Sequence, residues 1–157
     1  MEKEKKPLPQ GENERALRTA MNILAYAECT EKSLRQKLLD KGYSQESGEF
    51  AVDYMLKHRY LDEKRYLYRM VEYLGNVRLY GRRRIVMQVR QKGFSDQTLG
   101  DHLENALSRL CERENCRKAL AKVRKDDYKK TVDALLRRGF LYGDIKAAMA
   151  SDTDEFY

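Results

Sequence analysis

The chain has 157 residues, and its 32 Lys and Arg against 25 Asp and Glu leave a formal net charge of +7, so the electrostatic expectation is an anionic partner, either nucleic acid or an acidic protein surface. With 36% charged residues, 41% hydrophobic ones and only 2 Pro and 9 Gly, the composition favours helices and argues against a sheet protein or a wholly disordered chain. No apolar run approaches membrane-spanning length, and the opening MEKEKKPLPQGENER lacks the apolar core of a secretion signal, so a cytoplasmic protein without membrane contact is expected.

Residues 1–14 mix Lys, Glu, Pro and Gly with little that is apolar, which predicts a flexible arm because nothing there offsets the entropy of ordering. Residues 15–60 form a first three-helix repeat. Leu17, Ala20, Met21, Leu24 and Ala27 recur at helical spacing, and Thr30 followed by Glu31 opens a second helix carrying Leu34, Leu38 and Leu39. That helix stops at Lys41-Gly42-Tyr43, and Ser44 caps a third helix with a stripe of Val52, Met55, Leu56 and Tyr60.

Residues 61–110 repeat the scheme. Asp62 is the N-cap of a helix with Leu67, Met70, Val71 and Leu74 on one face, and Gly81 breaks it. The next helix, GRRRIVMQVRQKG, places Ile85 and Val89 eight and four residues before its glycine, as Leu34 and Leu38 stand before Gly42. It stops at Lys92-Gly93-Phe94, and Ser95 with Asp96 opens a helix bearing Leu99, Leu103, Ala106, Leu107 and Leu110. Residues 111–151 form a third, looser repeat with Cys116, Ala119, Leu120 and Val123, then Val132, Leu135 and Leu136 before Arg138-Gly139-Phe140, then Ile145, Ala148 and Met149; an acidic tail follows over 152–157.

The three basic-Gly-aromatic stops lie 51 and 46 residues apart. A glycine just beyond a cationic last turn suits a helix end, since Gly takes the left-handed conformation and the cation faces the negative end of the helix dipole. Periods of this length mark supersecondary units that bury their apolar faces against neighbours. The fold expected is all-α, an elongated helical solenoid of three tandem three-helix repeats, with function on a surface and not in a pocket.

Chemistry of the catalytic kind finds little support. His58 and His102 lie in different repeats without a fixed Ser or Cys partner, and no glycine-rich phosphate loop or paired carboxylates occur, so neither enzyme nor cofactor nor metal is expected. Cys29, Cys111 and Cys116 are odd in number and show no CxxC spacing, which predicts reduced thiols.

The candidate binding residues are cationic. Between Glu72 and Asp96 no acidic residue occurs, while Arg78, Arg82, Arg83, Arg84, Arg90 and Lys92 all fall in that window, deprived of local ion-pair partners. Arg78 and Arg82, four apart, are expected to share a helix face and offer guanidinium forks to phosphates or carboxylates. Tyr80, beside Gly81, is the tyrosine of the eleven in the chain expected to be exposed for stacking or contact. Arg117, Lys118 and Lys122 begin a second set, diluted downstream by Asp126, Asp127 and Asp133. A solvated charged face is the ordinary alternative for either set.

The strings SLRQKLLDKGY, YLDEKRY (Tyr60 to Tyr66), GRRRIVMQVRQKGF and LLRRGF occur in an order and spacing that resemble the RecX family, small bacterial regulators of the RecA recombinase, over nearly the whole chain from Ala16 to about Ala150. The resemblance implies a non-enzymatic monomer that binds the RecA filament on DNA along its helical groove and modulates its growth, ATP turnover and strand exchange, with inhibition the expected sense. The alternative is a sequence-nonspecific DNA-binding helical repeat protein acting without RecA on single- or double-stranded DNA, since three-helix units with a basic second helix also resemble DNA-binding folds.

Overall fold

The computed structural model describes residues 10–154, and among them every regular element is helical. Residues 1–9 of the expected arm and 155–157 of the expected tail lie outside the described residues. The chain forms two compact units: residues up to Tyr66 together with Gly93–Ser95, and Leu67–Lys92 together with the residues from Asp96 onward.

In the first unit, helices α1 (Gln10–Tyr26), α2 (Glu31–Asp40) and α3 (Gln45–Lys57) enclose a core of Ala16, Ala20, Leu34, Leu38, Ala51, Val52 and Met55, closed by Leu61. The caps read from sequence are present: Thr30 Oγ1 accepts the Ser33 N–H and Ser44 Oγ the Ser47 N–H, each at 3.2 Å. Gly42 stands at φ +92°, with its own N–H bonded to the Leu39 carbonyl and that of Tyr43 to Leu38, a Schellman stop.

Three expectations need correction here. Helix α1 begins at Gln10, inside the segment expected to be an arm, because its polar residues have partners at the start of α3: Glu12 Oε1 accepts the Ser44 N–H at 2.8 Å and Asn13 Oδ1 the Ser47 hydroxyl at 2.9 Å. Met21 and Leu39 face solvent, each turned about 100° from a buried neighbour, Ala20 and Leu38. Helix α3 ends at Lys57, and the left-handed turn at Arg59 (φ 59°) sends Tyr60 outward and Leu61 into the core.

Glu63 fixes the helix ends of this unit. It is only 7% exposed, and its carboxylate accepts the N–H of Glu31, the first residue of α2, and the N–H of Ser95, each at 2.9 Å. One buried carboxylate thus accepts from the start of α2, where the dipole favours negative charge, and from the Gly93–Ser95 segment of the same unit.

The second unit contains most of α4 (Glu63–Glu72), a π-helical turn (Tyr73–Val77), α5 (Arg82–Lys92), α6 (Asp96–Ser108), α7 (Glu112–Val123), α8 (Tyr128–Arg137) and α9 (Tyr142–Asp154). Cys116, Ala119, Leu120, Leu135, Phe140 and Ile145 form one core with Leu79. Leu67, Val71, Ile85, Val89 and Leu107 are likewise buried. The break expected at Gly81 is made two residues earlier, at Leu79, whose φ is 55°. Gly81 is required for a different reason, because a Cβ there would overlap Phe140 N and the carbonyl of Gly139.

Candidate partner-binding surface

The stop at Arg138-Gly139-Phe140 docks on the start of α5 and sets where its arginines point. The Gly81 N–H donates to the Arg138 carbonyl at 2.7 Å and the Arg83 N–H to the Gly139 carbonyl at 3.2 Å, so backbone oxygens satisfy donors at the head of α5. In return the Arg138 guanidinium donates to the carbonyls of Arg78 (2.8 Å) and Leu79 (3.2 Å). Ile85 and Val89 then lie fully buried, and Arg83, Met87 and Arg90 face out.

Tyr80 is not the exposed contact residue expected. It is 7% exposed, lies under the Arg84 guanidinium (4.0 Å from the ring centroid), and accepts a 2.7 Å hydrogen bond from Arg78 at its hydroxyl. That bond, more than the charges of Arg84, Arg78 and Arg138, holds the Tyr80 hydroxyl below its ordinary pKa against the opposing effect of burial. Arg78 follows the π-helical turn and precedes α5, so it shares no helix face with Arg82.

Arg82 is also differently engaged. The window from Glu72 to Asp96 is free of acids in sequence but not in space, because Arg82 donates to both carboxylate oxygens of Glu104 on α6 at 2.6 and 2.7 Å. Arg83, Arg90 and Lys92 are exposed, and among the described residues none of them pairs with a carboxylate.

Four cations meet around one groove of about 540 Å³ in this unit: Arg83, Arg84 and Lys92 from α5 and Arg137 from the end of α8. Its lining includes Met70, Met87 and Leu136, with the amides of Gln88 and Gln91, and among the described residues it contains no acidic one. Met87 is 52% and Leu136 39% exposed. Arg90 stays outside the lining. Sequence reasoning assigned Leu136 to the core and overlooked Met87. Met87 gave a readable signal, an apolar residue on the polar side of a helix whose inner side is Ile85 and Val89.

Of the second cationic set, Arg117 and Lys118 line a hollow of about 480 Å³ with Leu120, Ala121 and Arg124, while Lys122 is exposed outside it. Glu114 partly neutralises Arg117 at 3.6 Å. The three cysteines are free; Cys29 and Cys116 are buried, and burial pushes the Cys116 thiol up to about 11, away from reactivity.

Residues 16–55 match the family model described as RecX, first three-helix domain. The chain is 32% identical over 143 residues to Regulatory protein RecX of Vibrio vulnificus (strain CMCP6), covering 85% of this chain and 90% of that protein. It shares 25% over 141 residues with Regulatory protein RecX of Clostridium tetani (strain Massachusetts / E88), 83% of this chain but 63% of that relative, and so spans less than two thirds of its length. The crystal structure of RecX from Lactobacillus salivarius has the same fold, with a TM-score of 0.77 at 20% identity over 91% of this chain and 97% of that one.

Proposed function

Since this chain belongs to the RecX family of regulatory proteins, we propose that it binds the RecA recombinase filament and restrains its assembly, ATP turnover and strand exchange, without itself catalysing a reaction. The observation that carries this reading is the groove rimmed by Arg83, Arg84, Lys92 and Arg137, whose lining among the described residues has no acid and includes exposed Met87 and Leu136. Cations beside apolar side chains are the chemistry of a protein contact, and an acidic surface on the partner would supply the complement. Binding one filament state more tightly than another shifts the balance between assembly and disassembly by the difference in affinity.

The cations that act are Arg83, Lys92 and Arg137, with Arg84 presented by its stacking on Tyr80. Arg78, Tyr80 and Arg82 serve this surface by holding it in shape. The hollow at Arg117, Lys118 and Arg124 supports an additional contact to DNA in the same filament.

The test is a titration into RecA on single-stranded DNA with ATP hydrolysis as the readout, beside binding to bare DNA in the same buffer. The native chain is expected to lower hydrolysis at well below one molecule per RecA subunit. A variant carrying Arg83→Glu, Lys92→Glu and Arg137→Glu needs at least about tenfold more protein for the same effect, with its helical circular dichroism unchanged. Unaltered ATP hydrolysis at saturating native protein rejects the reading in favour of a DNA-binding protein that acts without RecA.

A further inference from the structure

The groove of the second unit is built for more than charge. Its four cations sit around Met70, Met87 and Leu136, and the last two are exposed although each is on a helix with a fully buried face. A phosphate backbone would meet the cations and leave those side chains in water. Bases would need an aromatic platform, and the tyrosine beneath the rim, Tyr80, is covered by Arg84. A methionine and a leucine lining one groove suit an apolar side chain of loosely defined shape, since the thioether adapts its rotamers. Gln88 and Gln91 add amides that both donate and accept, as an extended peptide backbone requires.

We infer that this groove takes an acidic protein segment, a short run of Asp and Glu carrying a large apolar side chain that seats against Met87 and Leu136 while its carboxylates reach Arg83, Arg84, Lys92 and Arg137. The inference rests on the groove being the partner surface proposed above, and it specifies that the groove reads protein and not phosphate. The charge complementarity is one-sided, because among the described residues no acid in the lining competes for the four cations. Arg84 is held in place by the Tyr80 ring, which reduces the ordering cost of binding.

The experiment uses the full chain and three fluorescein-labelled probes at about 0.15 M salt: the peptide Glu-Asp-Leu-Leu-Asp-Glu, its counterpart with both Leu replaced by Ser, and an oligothymidylate of equal charge. Anisotropy should show the leucine peptide binding at least about tenfold tighter than the serine peptide, and the oligothymidylate no tighter than the serine peptide. A Met87→Ser, Leu136→Ser variant should lose the leucine preference, whereas Arg83→Glu, Arg137→Glu should weaken both peptides. Equal binding of the two peptides, or a leucine preference that survives Met87→Ser, Leu136→Ser, overturns the inference. Inhibition of RecA without a leucine preference would remove this assignment and leave the filament reading intact. A leucine preference without any effect on RecA would do the reverse.

Discussion

A Cβ at Gly81 would overlap the carbonyl of Gly139, so the turn that opens α5 and the stop that closes α8 meet backbone to backbone. The carbonyls of Arg138 and Gly139 accept from Gly81 and Arg83, and Gly139 itself stands at φ +94° against the backbone of Arg84. Both groove arginines of α5, Arg83 and Arg84, have their backbone at this crossing.

Gly42, Gly81 and Gly139 should therefore differ in what alanine does to them. At Gly42 the left-handed conformation is needed but a Cβ meets nothing within 4 Å, so Gly42→Ala is expected to cost about 1 kcal/mol of backbone strain. At Gly81 the conformation is ordinary and the overlap is with backbone, so Gly81→Ala should cost about 2–4 kcal/mol. Gly139→Ala combines both penalties. Thermal unfolding followed by circular dichroism checks the order, and a Gly42→Ala loss as large as that of Gly81→Ala would contradict it.

Glu63 should be the polar residue whose loss most disturbs the first unit. Its two oxygens accept from the N–H groups of Glu31 and Ser95, and removing the carboxylate removes both bonds. Glu63→Ala is expected to cost about 2–3 kcal/mol, twice a typical cap. Glu63→Gln should fall in between, since its amide oxygen still serves one N–H while its NH₂ faces the other. Equal melting temperatures for the two variants would show that the one bond kept by Gln contributes nothing.

Much of this was legible, and the line between what was and what was not is physical. Thr30 and Ser44 cap helices three residues away, an interaction confined to one turn, so sequence alone identifies it. The pairs Leu34 with Leu38 and Ile85 with Val89 are buried as their spacing dictates. Arg82 meets Glu104 across 22 positions and Glu12 reaches Ser44 across 32, and no local pattern announces either. Tyr80 misled because Gly81 and Arg82 follow it in sequence, but Arg84 and Arg138, brought by helix and docked stop, cover its ring. Composition located the cationic helix, whereas which cations stay free depended on the packing of α6 and α8 around it.

Two carboxylates should move stability with pH in opposite directions. The Ser44 backbone N–H, first among several bonds, holds Glu12 below the usual carboxylate range. Its contribution is present above the unfolded value of about 4.3 and is lost as pH falls through the lower folded value, so Glu12→Gln should lower the melting temperature at pH 7 and matter less in strong acid. Glu112 is pushed up, chiefly by burial and then by Asp144, with Arg82 opposing. Its contribution is complete below about 4.3 and is lost as pH rises through the higher folded value, so Glu112→Gln should raise the melting temperature at pH 7 and converge with the native chain near pH 4. A Glu112→Gln chain that melts lower than the native one at pH 7 would reverse the assignment.

Neighbouring arginines at the head of α5 should separate structure from binding. Arg82→Glu sets a carboxylate against Glu104, replacing two short hydrogen bonds by repulsion. Glu104 is 77% exposed, so solvent screens the effect and the loss should be modest, about 0.5–1 kcal/mol. Arg83→Glu removes no partner in the fold and should leave the melting temperature within about 0.5 kcal/mol of native. Inhibition of RecA should follow the opposite order, because Arg83 lines the groove and Arg82 does not. Measured side by side, Arg82→Glu is expected to melt earlier yet inhibit nearly as well, and Arg83→Glu to melt normally yet inhibit several-fold less. If Arg82→Glu were the poorer inhibitor with an unchanged melting temperature, the contact would lie toward α6 and the groove between α5 and the end of α8 would lose its claim.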